Sequence, residues 1–180
     1  EEYCEENNLT LEEFFKSLNI KIQEYGQQLG ANLGTTFTGI LFIKDKYVIV
    51  HVGDTRIYQI GVSLNQMTTD QTFVAREISR GTMTPEQAKT DKRRNLLLQC
   101  VGASKTVEPQ ILCGNAEKGA YMICSDGFRH EITPDEIYES LNPINFVSTN
   151  AMHSKAKYLI ELVKSRQEKD NISVVLIKAE

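Results

Sequence analysis

The sequence predicts an α+β fold in which antiparallel β-sheets are covered by helices. Three observations predict it. The pattern runs helix, three short β runs, helices, two more β runs, helices and a last strand. That order lacks the βαβα alternation of a doubly wound parallel sheet. The first β runs are joined by tight polar connections, which read as an antiparallel meander. The chain has 180 residues, 41% hydrophobic and 24% charged, enough to bury a core within one domain.

A helix is expected from the capping box Thr10-Leu11-Glu12-Glu13, because Thr and Glu three apart satisfy each other's end of the first turn. Leu11, Phe14, Phe15, Leu18, Ile22, Tyr25 and Leu29 give it an apolar face, and Gly30 and Asn32 stop it. Residues Phe37–Ile43, Tyr47–Val52 and Arg56–Ile60 are the meander strands, turned at Lys44-Asp45-Lys46 and at Gly53-Asp54. A polar link over Ser63–Asp70 leads to a helix over Gln71–Arg80, with Phe73, Val74 and Ile78 on one face. Thr84-Pro85-Glu86-Gln87 opens another helix. Leu96–Val101 is apolar, and Glu108–Cys113 and Ala120–Cys124 pair as a hairpin ending at Ser125-Asp126-Gly127. Thr133-Pro134-Asp135-Glu136 starts a helix to Leu141, and Pro143 breaks it. A longer helix follows from Asn150 to Arg166, facing Ala156, Leu159, Ile160 and Val163 inward. Asn171–Lys178 is the last strand, read as buried on both faces at Val174–Ile177.

Several function classes are excluded. The net charge is -4, with 20 Lys and Arg against 24 Asp and Glu, which opposes counterion-releasing binding to nucleic acid or an anionic membrane. No apolar run approaches the roughly 20 residues that span a bilayer. The acidic opening Glu1-Glu2-Tyr3-Cys4-Glu5-Glu6 is unlike a targeting peptide and has no initiator Met, so the chain is expected to be a piece of a longer protein. Cys4, Cys100, Cys113 and Cys124 form no Cys-x-x-Cys pair and have no ligand spacing to His51, His130 or His153, which points to free thiols in a reducing cytoplasm rather than zinc. There is no Walker loop, no G-x-G-x-x-G and no nucleophile elbow around Ser125. His51 points to the face opposite Val50 and Val52 and reads as a hydrogen-bonded structural histidine.

Asp54, Asp126 and Asp170 stand at strand ends. Carboxylates there sit on a rigid platform facing one sheet rim, and Mg²⁺ and Mn²⁺ need such hard oxygen donors. Any one of them alone reads more simply as accepting turn or cap hydrogen bonds. The run Asp91-Lys92-Arg93-Arg94 reads as a solvated surface, or as a place where Arg93 or Arg94 meets phosphate.

Six stretches in order resemble motifs of the metal-dependent type 2C (PPM-type) protein serine/threonine phosphatases, bacterial branch. They are Gly34-Thr35-Thr36; His51-Val52-Gly53-Asp54-Thr55-Arg56-Ile57-Tyr58; Met67-Thr68-Thr69-Asp70-Gln71-Thr72; Arg93-Arg94-Asn95 followed by Val101-Gly102; Cys124-Ser125-Asp126-Gly127-Phe128; and Asp170-Asn171-Ile172-Ser173-Val174-Val175. The resemblance implies two antiparallel sheets packed between helical layers, an α-β-β-α sandwich. It implies a binuclear Mn²⁺ or Mg²⁺ centre whose bound water attacks phosphoserine or phosphothreonine, with no protein nucleophile. Asp126 and Asp170 would be metal ligands, Asp54 with Asp126 would match a weaker third-metal position, and residues 70–95 would match a mobile flap. It also implies a cytoplasmic signalling role, a phosphoprotein substrate and a partner Ser/Thr kinase.

The family's bridging carboxylate lies in an Asp-Gly-x-Gly-Gly motif, and the only Asp-Gly here is Asp126-Gly127. The chain is therefore expected to be a single phosphatase-like domain, residues 1–180, lacking the N-terminal metal-binding strands. The metal pair would be incomplete or weak, the isolated chain inactive or nearly so, and an uncovered sheet edge open to dimerisation. The alternative is a degenerate phosphatase-like module that binds a partner or phosphoprotein without hydrolysis. Glu168-Lys169 replaces a Gly pair frequent in the family and is expected to be a tolerated loop change.

Overall fold

The computed structural model describes residues 2–179, with side chains described from residue 10 onward. The architecture is α+β, with two antiparallel sheets and helices, as the sequence predicts. The chain divides into two compact units: the stretch up to Asp54 with Thr69–Asn115, and Thr55–Thr68 with the residues from Ala116 onward.

The first unit holds helix α1 (Glu2–Gln28), strands β1 (Phe37–Ile43) and β2 (Lys46–Val52), helices α2 (Phe73–Ser79) and α3 (Pro85–Thr90), and strand β5 (Gln110–Asn115). Its sheet has the order β1-β2-β5. Phe15, Val50, Val52, Val101 and Val107 form its core, with Leu11, Leu18 and Ile22 of α1 packed against them. Helix α1 begins at Glu2 rather than at Thr10, because the preceding Glu-rich turns continue the helix and leave Thr10 inside it. Only part of its expected stripe is covered: Phe14, Tyr25 and Leu29 are more than half exposed. The helix ends as expected at Gly30, whose φ is 64, with Ala31 N–H donating to the Gly26 carbonyl and Gly30 N–H to that of Gln27. Buried Asn19 ties α1 to the 102–104 turn, accepting from Gly102 N–H at 2.7 Å and donating to the Ser104 carbonyl at 3.1 Å.

The second unit holds β3 (Arg56–Ile60), β4 (Leu64–Gln66), β6 (Gly119–Cys124), α4 (Asp126–Arg129), α5 (Pro134–Leu141), a 3₁₀ turn at Pro143–Asn145, α6 (Thr149–Ser165) and β7 (Val174–Ala179). Its sheet runs β4-β3-β6-β7. Tyr58, Ile60, Ala120, Met122 and Cys124 pack against Phe128 of α4, Ile137 and Leu141 of α5, and Leu159 and Val163 of α6. Helices α3 and α5 start at the two Thr-Pro capping boxes, both complete.

Four expectations are corrected. The first three strands do not form a meander, because β2 pairs β5 and β3 pairs β4 and β6. The Gly53 backbone groups that a hairpin would use are taken by Gln71: Gly53 N–H donates to its side-chain oxygen, and Gln71 N–H donates to the Gly53 carbonyl. The expected hairpin of the fifth and sixth strands is also missing, because both edges of β6 are occupied by β3 and β7. The link before β6 is instead fixed by the Tyr121 hydroxyl, which accepts from Glu117 N–H at 3.0 Å. The polar link over Ser63–Asp70 contains the short strand β4, which pairs with β3 through Gln66, Asn65 and Leu64. Strand β7 lies at a sheet edge, so Val175 is 54% exposed rather than buried on both faces.

Cys100, Cys113 and Cys124 are free thiols, as expected, but Cys113 is exposed rather than in the core; the side chain of Cys4 lies outside the described residues. Among the described residues, no helix is long and apolar enough to cross a membrane.

His51 holds β1 and β2 to the following loop and is fully buried. Its Nδ1 lies 2.8 Å from Thr38 Oγ1, and its Nε2 lies 3.1 Å from the Thr69 carbonyl, to which it donates. Burial pushes its pKa down, outweighing nearby carbonyls and Asp70. The unfolded chain therefore binds the proton first, near pH 6.5. Stability is predicted to be full above that pH and to fall as pH drops toward the folded pKa. Urea unfolding of the native chain between pH 7.5 and 5 should show the loss, and His51→Gln should flatten it. An unchanged pH slope in the variant would refute the assignment.

Candidate functional site

The second unit brings two of the three predicted carboxylates together. Strand β6 ends at Cys124, paired with Arg56 of β3 and Val174 of β7. Ser125 then extends this pairing: its N–H donates to the Ser173 carbonyl at 3.0 Å, and its Oγ accepts from Ser173 N–H at 3.0 Å. The same Oγ donates to the Asn171 carbonyl at 3.1 Å. The 171–173 segment is therefore clamped to the start of α4.

Gly127 makes the close approach possible. A β-carbon there would sit 2.6 Å from the Asn171 carbonyl oxygen and 3.1 Å from the Asp170 β-carbon. Any side chain would push the 170–171 loop away, so glycine is required by space rather than by backbone angle. Asp126 and Asp170 thus flank one glycine at one rim of the sheet.

Each carboxylate uses one oxygen on the next residue's N–H: Asp126 Oδ1 accepts from Gly127 at 2.9 Å and Asp170 Oδ1 from Asn171 at 2.7 Å. These contacts fix the side chains close to their own backbone. Asp126 Oδ2 lies 3.8 Å from His130 Nε2, one helical turn on, and the Asp126 side chain is 27% exposed.

Asp54 belongs to the first unit, in the turn after β2. Its charge, after burial, helps to push the Cys100 thiol pKa up.

Two further residues belong to the rim, Glu168 and its partner His130. Glu168, whose side chain is 8% exposed, accepts from Lys169 N–H at 2.7 Å and Asp170 N–H at 2.8 Å through Oε1. Its Oε2 lies 3.2 Å from His130 Nδ1. Burial opposes ionisation of Glu168, but the two N–H groups and His130 outweigh it and hold its pKa below the ordinary range. Glu168 is thus a positioning residue for Asp170. The signal was an acid two residues before the strand-mouth Asp, where its side chain can fold back onto the intervening amides.

Oxygen donors of this kind suit Mg²⁺ or Mn²⁺. Among the described residues, no group of three or more His, Cys, Asp or Glu is arranged to hold a metal ion. The pair Asp126 and Asp170 therefore fits a cation that keeps most of its waters, and does not by itself make a closed binuclear cage.

No family model matches the chain. The serine/threonine protein phosphatase PstP of Mycobacterium tuberculosis (strain ATCC 25618 / H37Rv) is 34% identical over 146 residues, 80% of this chain and 27% of that protein. The chain thus spans about a quarter of that relative's length. A crystal structure of PstP/Ppp from Mycobacterium tuberculosis is 31% identical, with a TM-score of 0.77 over 90% of this chain and 68% of that one. Another, of the PstP catalytic domain in complex with 2 manganese ions, has a TM-score of 0.73 at 31% identity, over 88% of this chain and 65% of that one. The serine/threonine phosphatase Stp1 from Staphylococcus aureus has a TM-score of 0.86 at 28% identity, covering 100% of this chain and 70% of that one.

The Glu168 arrangement predicts a local pH response. The carboxylate's hold on the two amides is present above about pH 4.3, the ordinary glutamate value, and is lost as pH falls through the lower folded pKa. Amide hydrogen exchange at Lys169 and Asp170 should be accelerated about tenfold or more in Glu168→Ala at pH 6, with the core strands unchanged. Equal protection in variant and wild type would show that Glu168 does not order the loop.

Proposed function

Because the chain belongs to the type 2C (PPM-type) protein serine/threonine phosphatases, bacterial branch, we propose that it is the larger part of a single catalytic domain that removes phosphate from phosphoserine or phosphothreonine. The observation that carries this reading is the Gly127 contact, which sets Asp126 and Asp170 side by side at a sheet rim. The two manganese ions in the PstP catalytic domain support a divalent metal as cofactor here.

Asp126 and Asp170 would hold the metal, with Asp54 at a further, weaker position. A bound Mn²⁺ or Mg²⁺ would lower the pKa of its water and neutralise phosphoryl oxygens. The chain's own part is orientation. Ser125 clamps the 171–173 segment, Gly127 lets it approach, and Glu168 folds the loop that presents Asp170. Ser125 Oγ is committed to the Asn171 carbonyl and the Ser173 N–H, and attack would fall to a water.

These 180 residues contain no Asp-Gly-x-Gly-Gly stretch. With no bridging carboxylate among them, the isolated chain binds metal weakly and turns over slowly or not at all. The substrate class is a phosphoprotein, paired with a Ser/Thr kinase in the cytoplasm. Strand β1 stands at the end of its sheet, a position that suits pairing with a second copy. A degenerate module that binds without hydrolysis is the competing reading, favoured by the lack of a three-residue metal cluster among the described residues.

The test is Mn²⁺-dependent hydrolysis of a phosphothreonine peptide by the full natural polypeptide and by the 180-residue chain. Asp126→Ala and Asp170→Ala should each lower kcat/KM of the full polypeptide by about 100-fold or more, and chelation should abolish it. Activity that survives both substitutions would overturn the assignment. No activity in the folded wild type would favour the binding module, and rapid turnover by the 180-residue chain would refute its incompleteness.

A further inference from the structure

The first unit carries a second chemical feature. Residues 73–96 hold six basic side chains (Arg76, Arg80, Lys89, Lys92, Arg93 and Arg94) against Glu77, Glu86 and Asp91, a net of +3 in a chain of net charge -4. The remainder therefore carries -7, so positive charge is concentrated on this one segment.

Two of its guanidinium groups lie over one aromatic ring, and two share one carboxylate. The Arg93 guanidinium lies 4.0 Å from the Phe73 ring centroid, and that of Arg76 lies 5.1 Å from it. Arg76 Nε lies 3.0 Å from Glu77 Oε1, and Arg80 Nη1 lies 3.7 Å from the same oxygen. Glu77 is itself pinned by the Thr82 hydroxyl at 2.8 Å, and that contact, with Arg76, holds its pKa down. Asp91 receives Arg93 through Nε at 3.0 Å and Nη2 at 2.8 Å. Two acidic groups thus hold three arginines in place and leave a net positive charge among the five.

The held groups still face solvent. The side chains of Arg76, Arg80 and Arg93 are 38%, 62% and 54% exposed. Arg93 spends two of its five N–H donors on Asp91, which leaves the outer edge of its fork for another acceptor. An arginine fixed by stacking and by an ion pair loses less rotamer freedom on binding than a free one.

We propose that Arg76, Arg80 and Arg93, ordered by Phe73, Glu77 and Asp91, form a docking surface for an acidic segment of a partner protein. Carboxylate clusters and phosphoryl groups share the recognising chemistry, since both accept planar, charged N–H pairs. A protein segment is favoured over nucleic acid, because the -7 on the rest of the chain repels a long polyanion while a short acidic stretch meets only the patch. On the phosphatase reading, which this deepens, the surface selects phosphoproteins that carry an acidic stretch.

The test is fluorescence anisotropy on the wild-type chain in EDTA, with four labelled probes: an unphosphorylated Glu-rich peptide, the same peptide with Glu replaced by Gln, one with two phosphothreonines in the Gln background, and a single-stranded oligonucleotide. The Glu-rich peptide should bind about tenfold or more tighter than the Gln peptide, with an affinity that weakens as salt rises. The triple variant Arg76→Gln, Arg80→Gln, Arg93→Gln should lose that preference. Arg93→Lys alone should keep part of it, retaining charge but not the fork. Tighter binding of the phosphopeptide than of the Glu peptide would identify phosphate as the better acceptor within the proposal. Equal affinity for Glu and Gln peptides in the wild type, tighter binding of the oligonucleotide, or a preference that survives the triple substitution would each overturn it. A wild-type preference for Glu over Gln is readable even if the triple variant misfolds. The probes need no hydrolysis, so failure of the phosphatase reading leaves this measurement intact.

Discussion

The site depends on one close approach: the backbone at Asp170 and Asn171 lies on Gly127, in the space any other residue would fill. Ser125 enforces it by accepting from Ser173 and donating to Asn171. The strand pairing of β6 with β7 continues into this clamp through Cys124 and Val174, so the rigidity of the sheet reaches the rim. Two carboxylates are then fixed on either side of a glycine before any ligand arrives. Such preorganisation would spare a cation bound there much of the cost of ordering its donors.

The supporting core explains why the rim is firm. Phe128, directly after Gly127, is fully buried in the cluster that includes Leu141, Leu159 and Val163. The short α4 is therefore anchored from beneath by an aromatic side chain. On the loop side, Glu168 carries the matching role, since its carboxylate holds the amide of Asp170 while its own burial prevents it from swinging to solvent. Gly53 and Gln71 play a comparable part in the first unit, where their exchange of hydrogen bonds closes the turn that carries Asp54.

Much of this was legible in the sequence. The capping boxes at Thr84 and Thr133 marked helix starts because their chemistry is local and complete within four residues. Strands β1 and β3 were read with their full extents. Pairing was less legible: Gly53 and Asp54 looked like a hairpin turn, and only the distant Gln71 shows why the backbone groups there are engaged elsewhere. The exposure of Val175 follows from an edge position, which four consecutive aliphatic residues do not encode. Asp126 and Asp170 were visible as strand-end acids, but Glu168 was not, because its role lies in backbone amides rather than in a ligand pattern. Arg93 appeared only within the Asp91–Arg94 charge run and Arg76 not at all, since their stacking on Phe73 requires α2 and the 91–94 turn to meet.

The central claim is that Asp126 and Asp170 together form the oxygen face that receives a divalent cation. Paramagnetic broadening by Mn²⁺ tests it without recourse to turnover. Titrating the ¹⁵N-labelled chain with substoichiometric Mn²⁺ should broaden the amide signals of Gly127, Asp170 and Asn171 before others, and Asp126→Asn with Asp170→Asn should remove the effect. Selective broadening elsewhere, or broadening at Gly127 that survives the double substitution, would contradict the account.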